Sequence, residues 1–286
     1  MFDHVQAFFQ PSSVSEALKL IQTYKGARVL AGATDITPQA QRSTKFLVDV
    51  TRLGLDYIRR ERDGYAIGAC ATMGAVENNA KLRALANGIL PLALSTCGSI
   101  QLRNLATIGG NLANASPAAD SATPLLALDA TVTMQSSRGK KTLPLEKFFA
   151  GPHRTALDHA LLIEIFIPDP KPHSGWSFQK LGRTETDISL VNVAAGVALD
   201  KSGKVIAARL ALGTVAPVPM RAHAAETLLV GRKIDDAVLT TVADRIRQAV
   251  KPISDHRASA EYRREMVAVM AVRALQEAAT RSGGAR

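Results

Sequence analysis

Cysteine is scarce in this sequence, and its scarcity narrows the chemistry that the chain can carry. Among 286 residues there are only two cysteines, Cys70 and Cys97, and they are not spaced as a metal-binding pair. Two cysteines are too few for a disulfide scaffold and are compatible with a reducing compartment. The six histidines are isolated from one another: His4, His153, His159, His173, His223 and His256. We therefore expect no iron–sulfur cluster and no protein-ligated metal in this chain.

Several other signatures are also missing. No apolar run is long enough to cross a membrane, and the amino terminus lacks the basic and then apolar pattern of a signal peptide. There is no Gly-x-Ser-x-Gly elbow, no Walker loop and no Gly-x-Gly-x-x-Gly fingerprint of a Rossmann fold. Residues 139–142, Gly-Lys-Lys-Thr, lack the upstream glycine of a phosphate loop and predict a hairpin turn. We expect a cytoplasmic protein without a membrane span.

Acidic residues are outnumbered, since 35 Lys and Arg face 25 Asp and Glu for a formal charge of +10. This excess allows a basic nucleic-acid-binding module as one alternative. The basic residues are scattered, however, and lack the interleaved aromatics of a single-strand groove. An anionic cofactor or an acidic partner would balance the same charge, so we expect no nucleic acid.

The order of predicted elements indicates an α+β chain with two unlike parts and no internal repeat. Short strands and helices alternate through the first part and end in an apolar strand over residues 161–167. Three prolines within residues 168–172 can continue neither a helix nor a sheet, so we place the boundary near residue 175. Beyond it, strands at 178–181, 191–199 and 205–213 and helices at 234–250 and 260–282 predict an antiparallel sheet backed by helices.

Two glycine-containing stretches, about 75 residues apart, hold most of the hydrogen-bonding potential. Residues 32–35 read Gly-Ala-Thr-Asp directly after a predicted strand, and residues 105–120 contain Gly109 and Gly110 among small and polar positions. Taken alone, the second stretch could be a Gly-Asn turn between strands. As a pair, the two stretches could present consecutive backbone amides to a diphosphate from both sides. A large cofactor with a central diphosphate would then supply the chemistry.

Here the sequence resembles a known family. Leu-Ala-Gly-Ala-Thr-Asp-Ile at residues 30–36 and Thr-Ile-Gly-Gly-Asn-Leu-Ala-Asn-Ala-Ser-Pro-Ala-Ala-Asp at residues 107–120 look like the two FAD-binding loops of the medium subunit of molybdenum hydroxylases. This is the xanthine dehydrogenase and carbon monoxide dehydrogenase family. Further matches at residues 49–53, 67–69, 178–188 and 258–263 extend the likeness along essentially the whole chain.

The resemblance implies a fold and a division into domains. Residues 1–175 would form a vanillyl-alcohol-oxidase-type (PCMH-type) FAD-binding domain with subdomains at about 1–55 and 56–175. Residues 176–286 would form the smaller α+β carbon monoxide dehydrogenase flavoprotein C-terminal domain.

The resemblance also implies the residues that contact FAD. No catalytic side chain is assigned, because the flavin carries the chemistry. Asp120 would contact a polar group of the cofactor, although it could instead cap a helix beginning near Ser121. Lys180 would reach the flavin ring or ribityl chain and raise its potential, although it could also be a solvent-facing strand residue. The implied FAD-binding residues are Val29, Leu30, Ala31, Gly32, Ala33, Thr34, Asp35, Ile36, Thr107, Gly109, Gly110, Asn111, Ala113, Asp120, Leu162 and Lys180.

Partners and function follow from the same resemblance. A large subunit would carry molybdopterin and a small subunit two two-iron clusters, in a heterotrimer or its dimer. The FAD would pass electrons to NAD or another acceptor. Some relatives insert a cysteine-bearing cluster loop after the second motif, but residues 112–120 of this chain run through without one. A stand-alone vanillyl-alcohol-oxidase-type flavin oxidase is the enzymatic alternative, disfavoured because no His or Tyr is evidently placed for flavin attachment or substrate deprotonation.

Overall fold

The computed structural model describes residues 4–39 and 41–283, which form three successive layers around separate β-sheets. The first sheet is parallel, and the next two are antiparallel. Helices pack against each of them, which confirms the α+β fold class.

The amino-terminal layer is a small parallel sheet of three strands in the order β1-β3-β2. The strands are β1 (Ala7–Phe9), β2 (Ala27–Leu30) and β3 (Phe46–Asp49). Helix α1 (Val14–Thr23) begins where Ser13 accepts a hydrogen bond from the Glu16 amide, and it buries Ala17 and Leu18 against Val48. The short helix α2 (Ile36–Gln39) follows β2 after a five-residue loop at 31–35.

The middle layer is a five-stranded antiparallel sheet in the order β4-β5-β10-β6-β7, covered by short helices. The alternating strand β10 places Ile165 and Ile167 in the core. The strands of this sheet are β4 (Ile58–Glu61), β5 (Gly64–Gly68), β6 (Thr131–Ser136), β7 (Gly139–Pro144) and β10 (Leu161–Pro168). The helices are α3 (Met73–Asn78), α4 (Ala80–Ala84), α5 (Ile89–Ser95), α6 (Ile100–Leu105), α7 (Ile108–Asn114) and α8 (Ala122–Ala127). A two-stranded hairpin, β8 (Phe149–Gly151) with β9 (Arg154–Thr155), and 3-10 turns at Leu85–Gly88 and Leu145–Lys147 complete this layer.

The carboxy-terminal layer is an antiparallel sheet in the order β11-β12-β13-β14; two of its three helices, α9 and α11, pack on the sheet, and α10 packs on those two helices. Strand β12 is a nearly continuous run of small and branched apolar residues because it lies between two strands and beneath a helix. The strands are β11 (Ser174–Leu181), β12 (Val191–Leu199), β13 (Val205–Gly213) and β14 (Met220–Arg221). The helices are α9 (His223–Leu229), α10 (Asp236–Ala249) and α11 (Ala260–Arg281).

Two contacts join the last two layers. Trp176 and Phe178 on β11 are buried in the core of the middle layer. Arg221 at the end of β14 donates to both carboxylate oxygens of Glu226, at 2.6 Å and 2.7 Å, and to Asp129 Oδ1 at 2.7 Å. Because Asp129 follows α8, this buried guanidinium links the two sheets.

The predicted elements agree best where the apolar pattern is long. Strands β12 and β13 and helix α11 lie within one residue of their predicted bounds. The predicted hairpin forms between β6 and β7, but its turn lies at residues 137 and 138, and residues 139–142 belong to strand β7. Strands β1 and β4 and helix α6 were not predicted. Strand β1 has only three residues, β4 is an edge strand containing Arg59 and Arg60, and α6 leaves Ile100 and Leu105 exposed.

The helices of residues 4–39 and 41–283 include none that is both long and apolar enough to cross a lipid bilayer.

Removal of Glu226 tests the link between the two sheets. In Glu226→Ala, the Arg221 side chain, 7% exposed, would lose both oxygens of its bidentate partner. We expect a loss of about 3 kcal/mol in the free energy of unfolding, measured by urea denaturation. The control is Glu265→Ala in the exposed Arg247–Glu265 pair, which should cost less than about 1 kcal/mol. Equal losses in the free energy of unfolding would show that the buried pair stabilises the protein no more than the exposed pair does.

Candidate functional site

A deep cleft lies where the three layers meet. Its volume is about 510 Å³, within the usual range for ligand sites. One wall is the β2–α2 segment, a second is the stretch from Cys97 to Asp120, and strand β10 with the residues before it forms the floor. Thr186, Asp187 and Ile188 of the carboxy-terminal layer complete the lining. The cleft therefore draws on both parts of the chain.

The first glycine motif forms one wall through its backbone. Strand β2 is held to β3 by a hydrogen bond from the Val50 amide to the Leu30 carbonyl, 2.9 Å, and the chain then turns into α2. Ala33 adopts a left-handed conformation with φ of 59°. Gly32 lies so close to the Leu105 carbonyl that any Cβ there would overlap it. This glycine thus allows two backbone segments to meet.

The amides of this loop are free to bind a ligand. Among the described residues, none accepts a hydrogen bond from the backbone N–H of residues 32–36. All five of these residues line the cleft. A row of unpaired amides is a suitable binding surface for phosphate oxygens.

The second motif has a different structure from the one expected. It is neither a turn between strands nor a loop of free amides, because residues 108–114 form helix α7 with Thr107 as its cap. Thr107 Oγ1 accepts from the Gly110 amide at 3.0 Å, and the Gly109 amide donates to the Ala69 carbonyl at 2.9 Å. The Ile108 amide likewise donates to the Ala71 carbonyl. These amides already have acceptors, so this wall offers shape and side chains to a ligand.

Steric contact explains the first of the two glycines in α7. A Cβ on Gly109 would lie 2.5 Å from the carbonyl oxygen of Ala69 and 2.6 Å from its Cβ. A Cβ on Gly110 would meet only Thr107 Oγ1, at 2.8 Å. Gly109 is therefore required by the approach of α7 to the strand-end backbone at Ala69.

A buried ion pair lies at the end of the second motif. Lys180 Nζ on β11 donates to Asp120 Oδ2 and to the Thr96 carbonyl, both at 2.7 Å. The Asn192 amide nitrogen donates to Asp120 Oδ1 at 3.0 Å. The two charged side chains are only 5% and 6% exposed. Burial raises the pKa of Asp120, while the Lys180 ammonium and the Asn192 amide act in the opposite direction.

The polar network continues into the carboxy-terminal layer. Asn192 Nδ2 also donates to Ser189 Oγ at 2.9 Å, and Thr123 Oγ1 donates to Asn192 Oδ1 at 2.5 Å. Asn192, Ser189 and Thr123 are fully buried. Asn192 lies on strand β12 and uses both polar atoms of its side chain. Its Nδ2 binds Asp120 and Ser189, and its Oδ1 binds Thr123 of α8, so the network joins the second motif to the carboxy-terminal sheet.

Both alternatives considered for Asp120 and Lys180 are wrong. Asp120 does not cap α8, because its two oxygens accept from Lys180 and Asn192, and Ser121 is the residue at the cap position. Lys180 does not face solvent. Lys180 also does not line the cleft, and neither does Leu30. The other fourteen expected site residues all line it.

Several residues of the cleft were not predicted. Residues 186–188 of the carboxy-terminal layer line the cleft. They lie within the family match at 178–188, but only Lys180 of that match was predicted to contact the cofactor. Arg28, Asn114 and Ser116 flank the expected residues. Cys97 also lines the cleft, and burial raises the pKa of its thiol to about 11. Over the part of the chain that the structure describes, no three His, Cys, Asp or Glu side chains are grouped to hold a metal ion.

Two family models cover this chain. The first is described as the FAD-binding domain in molybdopterin dehydrogenase and matches residues 2–170. The second is the carbon monoxide dehydrogenase flavoprotein C-terminal domain and matches residues 176–278.

Whole proteins give the same result. The glyceraldehyde dehydrogenase medium chain of Sulfolobus acidocaldarius is 31% identical over 278 residues, covering 96% of this chain and 98% of the relative. The xanthine dehydrogenase FAD-binding subunit of Escherichia coli is 33% identical, covering 99% of each chain. A solved structure of carbon monoxide dehydrogenase from Hydrogenophaga pseudoflava, lacking the Mo-pyranopterin moiety, superposes with a TM-score of 0.94 at 30% identity. It covers 98% of this chain and 99% of its own.

The two glycines of α7 allow a matched test. Gly109→Ala forces backbone to move at Ala69 and should cost about 2 kcal/mol of stability and reduce the FAD content. Gly110→Ala disturbs only the Thr107 cap and gains helix propensity, so its net effect should stay below about 1 kcal/mol. Thermal denaturation of the cofactor-free protein compares the two variants, because both glycines line the cleft and flavin content would also report on binding. A larger loss in Gly110→Ala would contradict the steric explanation.

The buried ion pair can be tested by a double-mutant cycle. Asp120→Asn or Lys180→Met alone leaves a buried polar group without its partner and should cost about 3 kcal/mol each. The double variant should cost less than the sum of the single variants by about 1 to 3 kcal/mol. Urea denaturation of the cofactor-free protein gives all four values. Additive losses would mean that the two side chains do not stabilise each other.

Proposed function

This chain belongs to the family of FAD-binding domains of molybdopterin dehydrogenases, with the carbon monoxide dehydrogenase flavoprotein C-terminal domain, and we propose that it is the electron-transfer subunit of a heteromeric molybdenum hydroxylase. In this proposal it takes electrons from an iron–sulfur subunit and passes them to NAD or another acceptor. Substrate is oxidised on a molybdopterin-containing large subunit. The supporting observation is the cleft of about 510 Å³ bordered by five unpaired amides at residues 32–36.

The chemistry of the residues that line the cleft fits FAD. The unpaired amides suit a diphosphate, and apolar residues such as Leu102, Leu157 and Leu162 provide contact for ring systems. Bound FAD supplies the redox chemistry, because a flavin exchanges electrons with both one-electron and two-electron partners. The chain contributes binding, orientation and exclusion of water. We propose as cofactor contacts the predicted residues that line the cleft.

The predicted role of Lys180 changes. Its ammonium group is held 2.7 Å from Asp120, which stands between the lysine and the cleft. Lys180 would therefore act on the flavin through Asp120, by fixing the position and charge of that carboxylate. Asn192 holds the other oxygen of the same carboxylate.

We further propose the domain division at about residue 175, in agreement with the family matches at 2–170 and 176–278. The expected assembly is a heterotrimer with a molybdopterin subunit and a subunit holding two two-iron clusters, or a dimer of that trimer. The relatives include medium chains and an FAD-binding subunit of such enzymes, which supports this arrangement. A cytoplasmic location is proposed from the two free cysteines, Cys70 and Cys97.

Reconstitution tests the proposal. The chain, expressed with its two partner subunits and FAD, should purify as a yellow complex whose flavin is reduced when the large subunit turns over and is reoxidised by its acceptor. The isolated chain should oxidise no organic substrate. Failure to bind flavin in the presence of both partners would refute the proposal. Turnover of an alcohol or phenol by the chain alone would instead support a stand-alone flavin oxidase.

A further inference from the structure

The cleft contains little positive charge for a site expected to hold a diphosphate. Its lining includes three carboxylates, Asp35, Asp120 and Asp187. Among the lining residues, Arg28 is the only lysine or arginine. Counted formally, one arginine and three aspartates give the lining a charge of −2, so the positive excess of the chain lies outside the cleft.

Two of the three carboxylates have cationic partners. Asp120 accepts from Lys180 at 2.7 Å, and Asp187 accepts from Arg183 Nε at 2.6 Å. Asp35 forms no salt bridge with any described residue, and burial raises its pKa, while the charges of His153 and Arg28 act in the opposite direction. Among the described residues that line the cleft, Arg28 alone thus offers a positive charge to a ligand.

The side chain of Arg28 is held in place but incompletely paired. It lies on β2, immediately before the first glycine motif, and its Nη2 donates to Gln39 Oε1 at 2.8 Å. Gln39 Nε2 in turn donates to Asn114 Oδ1 at 3.5 Å, which connects the two walls of the cleft. The other terminal nitrogen, Nη1, is buried and has no hydrogen-bond partner. Among the described residues, Arg257 Nε and Arg263 Nε are also buried without a hydrogen-bond partner, but neither of those residues lines the cleft.

From these observations, we propose that Arg28 binds the diphosphate of FAD, its guanidinium turning toward the cleft so that the unpaired Nη1 donates to a phosphate oxygen beside the free amides of residues 32–36. This inference rests on the proposed function. It assigns the charge selectivity of the site to one side chain, since the loop amides are neutral. Gln39 is then the positioning residue that fixes the guanidinium through Nη2. A charged donor in a partly buried site forms stronger hydrogen bonds to phosphate than a neutral one.

Ligands with and without phosphate separate this role from a structural one. The full-length chain and its Arg28→Met variant are titrated with FAD, ADP and riboflavin, and binding is followed by calorimetry and flavin fluorescence. Loss of a charged hydrogen bond should weaken FAD and ADP about tenfold to hundredfold. Riboflavin, which has no phosphate, should bind both proteins equally.

Two further variants serve as controls. Arg28→Lys keeps the charge but loses the planar guanidinium, so FAD and ADP affinity should lie between wild type and Arg28→Met. Arg52→Met removes the same charge from an exposed position outside the cleft lining and should change each affinity by less than about twofold. Arg28→Gln replaces Arg28→Met if the methionine variant fails to fold.

The inference is overturned if Arg28→Met or Arg28→Gln binds FAD as tightly as wild type, or if riboflavin is weakened as much as FAD. Neither result would affect the proposed function, because the wild-type chain would still bind FAD. If the wild-type chain binds no FAD even with its partner subunits, the proposed function fails, and this inference fails with it.

Discussion

The contact between Lys180 and Asp120 is the interaction around which the two halves of this protein are arranged. It places an ammonium and a carboxylate 2.7 Å apart in a position almost closed to water. Burial of two charges is costly unless each also has further hydrogen bonds, and here Thr96 and Asn192 provide them. Asp120 ends the second motif and Lys180 belongs to the carboxy-terminal sheet, so the pair holds one wall of the cleft against that sheet. The 186–188 loop reaches the cleft from the same sheet region.

The two glycine motifs have different tasks, although they look alike in the sequence. Positions 32 and 109 both require glycine because another backbone segment lies too close for a Cβ. That segment is Leu105 for Gly32 and Ala69 for Gly109. Only the first motif leaves its amides without acceptors, whereas α7 uses its own in the cap and in contacts with the strand end. The amides without acceptors are therefore concentrated on one wall. The second wall provides the rigid surface against which a cofactor can rest.

The residues that line the cleft include little positive charge for a protein with a formal charge of +10. Two of its three carboxylates are neutralised by neighbouring cations, and one arginine nitrogen remains without a partner. The described part of the chain has no grouped His, Cys, Asp or Glu ligands for a metal. Such a lining is compatible with the FAD-binding domain of the family, in which the cofactor supplies the redox chemistry.

The sequence by itself determined the family, the α+β class, the long strands β12 and β13, the helix α11 and the general position of the cleft. These features depend on local periodicity and on motifs of neighbouring residues, which can be recognised without coordinates. Only the tertiary structure decided that Lys180 stands behind Asp120, that the second motif is a helix whose first amides are paired, and that Arg28 Nη1 is free. The decisive contacts of Lys180 join residues 60 and 84 positions apart. Contacts at such separations form when distant segments fold together, so they cannot be predicted from the local sequence pattern of either segment.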